Sequence, residues 1–520
     1  MVQSTAMKKA LLAAATIAVL LPFAGKAFHI DDPLFVWAGR HIAEHPLDPY
    51  GFTANWSLAD QPFYEITKNP PLAAYYLALA GSLFGWSEIA LHLAFLLPAV
   101  AVVLGTHTLA GRLTSRPMLA ALAVLLSPVF LVSATSVMCD VMMLALWIWA
   151  IVFWREGLER RAPLWLAAAG VFAAAAALTK YFGAALVPLM LAYALTRQRS
   201  SSPRARIAWI LALSIPVVVL LAYQGWTLSL YGRGLLGDAV QFATGWRERH
   251  EVPLLKRGMI GLIFTGGCVL PALTFAPLLV RWRRARAAVT VPAGIQSVLF
   301  GLGGAVALSL AWLDWRRWRN PDSMLLGVWV AGTFVFASFL NWTVNGRSIL
   351  PMVPAVAVLI ARRLDDLPPR SARGPWSALA LSGLIAVTVT WGDVRLADAQ
   401  RTAARLVQQR AGDSGGSIWF QGHWGFQHYM QTIGARPFDA RSTGFAKGDI
   451  LVLPSNNTRV VGLPRGIGVE GGALEVDPRA FSSTMGRVAG AGFYSSSFGW
   501  LPFVFGRVPP ERYRMVEIGG

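Results

Sequence analysis

Residues His29 to Phe52 read HIDDPLFVWAGRHIAEHPLDPYGF. Two adjacent carboxylates, Asp31 and Asp32, follow directly on an apolar run, Ala10 to Phe28, in a chain poor in acid. Lys8 and Lys9 precede that run, and positive flanks stay on the cytoplasmic side of a membrane. The aspartates are therefore expected at the outer face, and the rest of the chain reads as building a site around them. Gly25-Lys26-Ala27 also fits a small-x-small cleavage site. The run is read instead as an uncleaved first helix, because more apolar segments follow and the loop would otherwise lose its anchor.

Composition sets the class. Of 520 residues, 55% are hydrophobic and 14% charged, and a soluble domain has too little surface to solvate such a mixture. The formal charge of +19 lies in short Lys/Arg clusters between apolar segments. Topology accounts for those clusters, so nucleic acid is not an expected partner. Cys139 and Cys268 have no metal-ligand spacing around them and read as small packing residues.

Working outward, the first loop runs to about Lys68, rich in aromatic, polar and proline residues, and reads as interfacial helices and turns. Pro70 to Gly85 is short for a crossing and is expected to be interfacial or re-entrant, with residues 88 to 110 as the second span. Two hairpins follow, bounded by basic clusters, with Asp140 at the top of one and Lys180 at the top of the other. Ile207 to Trp226 crosses again, and a second outer loop, Ser229 to Arg257, contains WRERHE. Beyond RWRRAR (Arg281 to Arg286), three apolar runs, about 290 to 312, 323 to 343 and 348 to 361, separate two clusters that both look cytoplasmic. An odd number of crossings cannot do that, so one run fails to span or one cluster lies outside. Trp376 to Trp391 is the last span, giving about eleven to thirteen transmembrane helices. From Gly392 short apolar strings bounded by turn residues read as strands, with GFQHYMQTIG as a helix between two of them. The expected organisation is a membrane domain, residues 1–391 with residues 29–69 as its first outer loop, and a small α/β domain, residues 392–520.

Ionisable groups near hydrocarbon are costly, and each is a functional candidate. Asp31, Asp32, Glu65, Lys68, Asp140, Lys180, Arg247, Arg249 and Arg347 are expected on the outer side. A carboxylate can take the proton of an acceptor, and cations can neutralise a departing phosphate. Bland readings stand beside these. Asp31 or Asp32 could cap the helix that begins at Pro33, and Asp140 and Lys180 could form a buried ion pair joining two hairpins. Arg347 could snorkel, and Arg247 and Arg249 alternate with glutamates as in a solvated loop. His423 and His428 lack an accompanying acid, so no metal site is expected there.

The order of these features, with NPPLAAYY, LTKYFGAALVP and NGRSILPMVPAVAVLIARRL, resembles the integral-membrane glycosyltransferases that use polyprenyl-phosphate sugars. This is the C-type glycosyltransferase fold of the protein O-mannosyltransferases and the lipid A aminoarabinose transferase, and the resemblance covers roughly residues 10 to 365. It implies that Asp31 is the catalytic carboxylate, with Asp32 where relatives often have Glu, and that Asp140, Lys180 and Arg347 match the family's hairpin Asp, its L-T-K lysine and its basic residue near the donor phosphate. Relatives place a phosphate-binding Lys directly before a single Pro, whereas here Asn69 separates Lys68 from Pro70. The implied reaction is inverting transfer of a sugar from a polyprenyl-phosphate donor to a lipid, protein or glycan acceptor, at the outer face of the inner (plasma) membrane among its lipids. A divalent metal ion beside Asp31 or Asp32 is compatible with this, although no ligand cluster demands one. The competing class is a secondary transporter or lipid flippase, which would show internal repeats and charges along a path.

Overall fold

A computed structural model describes residues 2–197, 203–249, 252–279, 293–367, 373–411, 416–462 and 468–519. The chain is a polytopic helical membrane protein with a strand-containing C-terminal unit. Seven described helices are long and apolar enough to cross a membrane, and up to nine if each of two bent pairs is one span. Pro117–Leu125 with Pro128–Ala134 bends by 60°, and Leu254–Cys268 with Pro271–Leu279 by 84°. Pro128 and Pro271 open the second helix of each pair, where a missing N–H breaks the ladder. Leu72–Phe84, Pro163–Thr179 and Tyr181–Arg197 are shorter apolar helices.

Side-chain pairs fix which end of the bundle each helix end occupies. At one end Arg116 pairs with Asp365 at 3.0 Å, Arg155 with Asp322 at 3.3 Å and Arg362 with Asp314 at 3.0 Å. At the other end the first loop, the tops of the two hairpins and the residues before Arg347 meet. This resolves the parity of residues 290 to 361. Near the start of Ala293–Trp318, Gln296 donates to the Phe503 carbonyl of the C-terminal unit, and near its end Asp314 meets Arg362. Pro321–Val335 runs back, and the segment from Gly346–Ile349 to Val353–Asp365 returns. The three runs thus lie in alternating directions along the bundle, so the chain enters them at one end and leaves at the other. The basic stretch Arg281 to Arg286 lies outside the described residues. Leu254–Cys268 also begins at the Gln296 end, where Arg257 donates to the carbonyls of Phe339 and Asn341. The bent pair that it opens therefore starts at the same end of the bundle as Ala293–Trp318.

Leu72–Phe84 behaves as its length predicts. It starts beside Asn69 and ends just before Ser87, whose side chain caps Glu88–Ala110 by accepting from Ala90 N–H. It packs against Asp32–Glu44, where a Cβ on Gly39 would stand 3.1 Å from Leu77 Cβ and 3.3 Å from the Ala74 carbonyl. Glycine at 39 permits that approach.

Gly374–Ala411 has 38 residues, nearly twice what about 30 Å of hydrocarbon needs, so its last turns pass into the C-terminal unit. There a five-stranded sheet runs in the order Arg436–Pro437, Ile418–Phe420, Ile450–Pro454, Glu511–Ile518, Gly468–Val476. The first three strands are parallel and the last two pair antiparallel. Trp424–Thr432 is the expected helix between two strands, with Phe426 and Met430 fully buried. Cys139 and Cys268 are free and buried.

Candidate active site

The site starts from a strained turn. Ile30 has φ of 50°, a left-handed conformation that costs a β-branched residue on the order of 1–3 kcal/mol. It turns the chain from buried Phe28 into the helix Asp32–Glu44. Asp31 occupies the cap position, yet its side chain makes no capping bond. Asp32 is spent on the backbone: Oδ2 accepts from His29 N–H at 2.8 Å and Oδ1 from Val137 N–H at 2.9 Å. Burial pushes its carboxyl up to about 7, against the pull of Lys26 and the two amides. Asp32 thereby ties the first loop to the turn before Asp140 and leaves Asp31 to meet side chains.

The hairpins deliver Asp140 and Lys180 as expected. Asp140 lies in the first turn of Cys139–Arg160, and Lys180 is the residue at which Pro163–Thr179 ends. Lys180 Nζ donates to Asp140 Oδ1 at 2.5 Å, with the Asp140 side chain 1% exposed. The buried ion pair therefore exists, and it is not isolated.

Arg347 joins it to Asp31. Asn345 caps Gly346–Ile349 by accepting from Ser348 N–H at 2.8 Å. From that turn Arg347 Nη2 reaches Asp31 Oδ2 at 3.0 Å, and Nη1 lies 3.9 Å from Asp140 Oδ2. Arg347 thus sits between two carboxylates, Asp31 and Asp140. Asp31, Arg347, Asp140 and Lys180 form an alternating row of charge. Asp140 Oδ2 and Arg347 Nε are buried without a hydrogen-bond partner among the described residues.

A second polar cluster went unnoticed in the sequence. Lys26 Nζ pairs with Asp393 Oδ2 at 2.6 Å, both side chains 0% exposed. Asp393 also accepts from Thr484 Oγ1 at 2.6 Å and from the Tyr494 hydroxyl at 2.9 Å. Lys26 lies near the end of the first apolar run and Asp393 just past the last one, inside a long helix; the available signal was Lys26, a charge within an otherwise apolar stretch.

Other candidates lie apart. Lys68 Nζ donates to the Glu65 carbonyl at 2.9 Å and lies 5.8 Å from the Phe242 ring centre. The Arg247 and Arg249 side chains are outside the described residues. His423 is structural, bonding the Trp56 carbonyl through Nδ1 at 3.0 Å and the Thr458 hydroxyl through Nε2 at 2.6 Å. Among the described residues no three His, Cys, Asp or Glu gather as metal donors. With Asp32 engaged by two amides and Asp31 by Arg347, the pair does not fit a cation site.

Residues 68–226, which carry Asp140 and Lys180, match the family model of dolichyl-phosphate-mannose-protein mannosyltransferase. The chain is similar to that family over this stretch. Its fold is that of ArnT from Cupriavidus metallidurans bound to undecaprenyl phosphate, with TM-score 0.56 and 17% identity over 86% of this chain and 93% of that one. The same enzyme in the apo state gives 0.51 and 14%, over 86% and 92%. The archaeal oligosaccharyltransferase AglB from Archaeoglobus fulgidus, in complex with an inhibitory peptide and a dolichol-phosphate, gives 0.52 and 13%, over 84% of this chain and 64% of that one. No curated protein sequence matches the chain at a significant level.

Proposed function

We propose that this protein transfers a sugar from a polyprenyl-phosphate carrier to an acceptor at the outer face of the membrane, with inversion and with Asp31 as general base. The observation that carries this is the bridge made by Arg347 between Asp31 and the Asp140–Lys180 pair. The acceptor hydroxyl attacks the anomeric carbon from the side opposite the phosphate and gives its proton to the Asp31 carboxylate. The bond from the anomeric carbon to the phosphate oxygen breaks, and its electron pair leaves with the polyprenyl phosphate. Arg347 and Lys180 neutralise the charge that grows there. The unpartnered Arg347 Nε supplies a donor that a phosphate oxygen would satisfy.

Asp140 holds both cations in place. Lys68, Arg247 and Arg249 are further candidates for binding the donor phosphate. Residues 1–391 carry the chemistry, and residues 392–520 form an outer unit that supports it. Charges gathered at one end of the bundle suit a transferase better than a transporter, which needs them along a path. Whether the acceptor is lipid, protein or glycan depends on pocket shape rather than fold.

The test is transfer from a labelled polyprenyl-phosphate sugar, with mass spectrometry of co-purifying lipids to choose the donor. Asp31→Asn should lose transfer by at least roughly a hundredfold, as expected for a removed general base. Wild-type rates in that variant would remove the proposed base.

A further inference from the structure

The C-terminal unit reaches into the site through one short segment. Gly346 N–H donates to the Phe493 carbonyl at 2.7 Å, and Ser496 N–H to the Val344 carbonyl at 2.9 Å. Thr343 Oγ1 lies 3.1 Å from both Ser495 Oγ and Ser496 Oγ. A Cβ at Gly346 would stand 2.7 Å from the Phe493 ring, so the contact needs glycine there. Phe493 to Ser496 thus clamp the residues immediately before Arg347.

Tyr494 is the centre of that clamp. Its ring lies 5.8 Å from the Arg347 guanidinium carbon, and the His29 ring meets it edge-on at 5.5 Å. Its hydroxyl is held by both Asp393 oxygens, at 3.0 and 2.9 Å, and Asp393 is held by Lys26. Hydroxyl and ring therefore do different jobs: the first anchors Tyr494 to the membrane bundle, and the second offers a π-face to a buried cation.

We infer that Tyr494 is a positioning residue for the transfer reaction, its ring holding Arg347 between Asp31 and Asp140. This rests on the transfer reaction proposed above. Arg347 already spends one arm on Asp31 and faces Asp140 with the other. Without the ring face its guanidinium gains freedom to swing out of the row. Burial of the ring removes competing water, which strengthens a cation–π contact.

The experiment uses the full-length protein in lipid nanodiscs, with folded fraction measured alongside transfer from a labelled polyprenyl-phosphate sugar. Tyr494→Leu should lower kcat per folded molecule roughly tenfold, whereas Tyr494→Phe, which keeps the ring, should restore it to within about twofold. In an Arg347→Lys background the Tyr494→Leu change should cost less than about twofold, because its effect acts through Arg347. If Tyr494→Leu does not fold, Gly346→Ala, which pushes Phe493 off the loop, should show the same loss and the same non-additivity. Equal kcat for the Phe and Leu variants per folded molecule, or losses that simply multiply with Arg347→Lys, would overturn the inference while leaving the transferase reading intact. Absence of transfer by the wild-type protein from any polyprenyl-phosphate sugar would overturn that reading, and this inference with it.

Discussion

Arg347 Nη2 bonds Asp31 Oδ2 at 3.0 Å, and Nη1 lies 3.9 Å from Asp140 Oδ2. One guanidinium thus connects a carboxylate from the first loop to a carboxylate at the head of a hairpin more than a hundred residues later. The contact sets a cation directly against the Asp31 carboxylate.

The two adjacent aspartates should separate cleanly on substitution. Asp32→Asn replaces one acceptor oxygen with an NH2 group facing a backbone N–H, from His29 or Val137. It is expected to lower thermal stability by about 1–3 kcal/mol. Asp31→Asn should also cost some stability, since it leaves Arg347 with only the more distant Asp140, but it should remove transfer, whereas Asp32→Asn should retain transfer per folded molecule. Thermal unfolding and transfer rates of both variants check this, and the reverse pattern would exchange the two roles.

Asp140 and Lys180 should show strong coupling. Lys180→Met leaves a carboxylate with 1% exposure with only the more distant Arg347, at an expected cost of about 3 kcal/mol. Adding Asp140→Asn should recover much of that stability, yet transfer should stay low because the cation proposed to face the phosphate is gone. A double-mutant cycle in stability, run alongside transfer rates, separates the structural from the chemical contribution.

Lys26 and Asp393 should anchor the C-terminal unit. Lys26→Met strips the cation from a pair whose side chains are both 0% exposed, leaving Asp393 with the Thr484 and Tyr494 hydroxyls. Limited proteolysis should then cut the C-terminal unit faster. Combining the change with Asp393→Asn should slow cleavage again, because the uncompensated charge is gone.

Glu511 predicts a pH dependence. Burial pushes its carboxyl up to about 7, against the hydrogen bond from Asn456. Folded Glu511 holds its proton at pH values where the unfolded chain has released it, so stability falls as pH rises from about 4.5 to about 7 and then levels off. Glu511→Gln should remove that component. The melting curves of the two proteins should approach each other near pH 4.5, with the variant more stable at pH 8.

Much of this was legible in the chain itself. Apolar runs and basic clusters report membrane crossing directly, because hydrocarbon tolerates neither unpaired backbone groups nor stray charge. Asp140 and Lys180 were readable as hairpin heads because each interrupts such a run between two basic clusters. Leu72–Phe84 was readable as a non-crossing helix from its length. The parity between residues 290 and 361 was not, since charge counting cannot tell a bent pair that returns from one that spans. The Gln296 contact to Phe503 and the Asp314 contact to Arg362 set the direction of Ala293–Trp318 and so decided it.

Sequence by itself determined the class of protein, the end of the bundle where charge collects and the short list from which a base would come. Only the tertiary structure decided which aspartate meets Arg347, because Asp32 is consumed by amides of His29 and Val137, and backbone donors carry no mark in sequence. It alone placed Tyr494 beside Arg347 and Asp393 against Lys26. Those contacts join residues separated by hundreds of positions, and only the packing of a late domain onto an early helix brings them within reach.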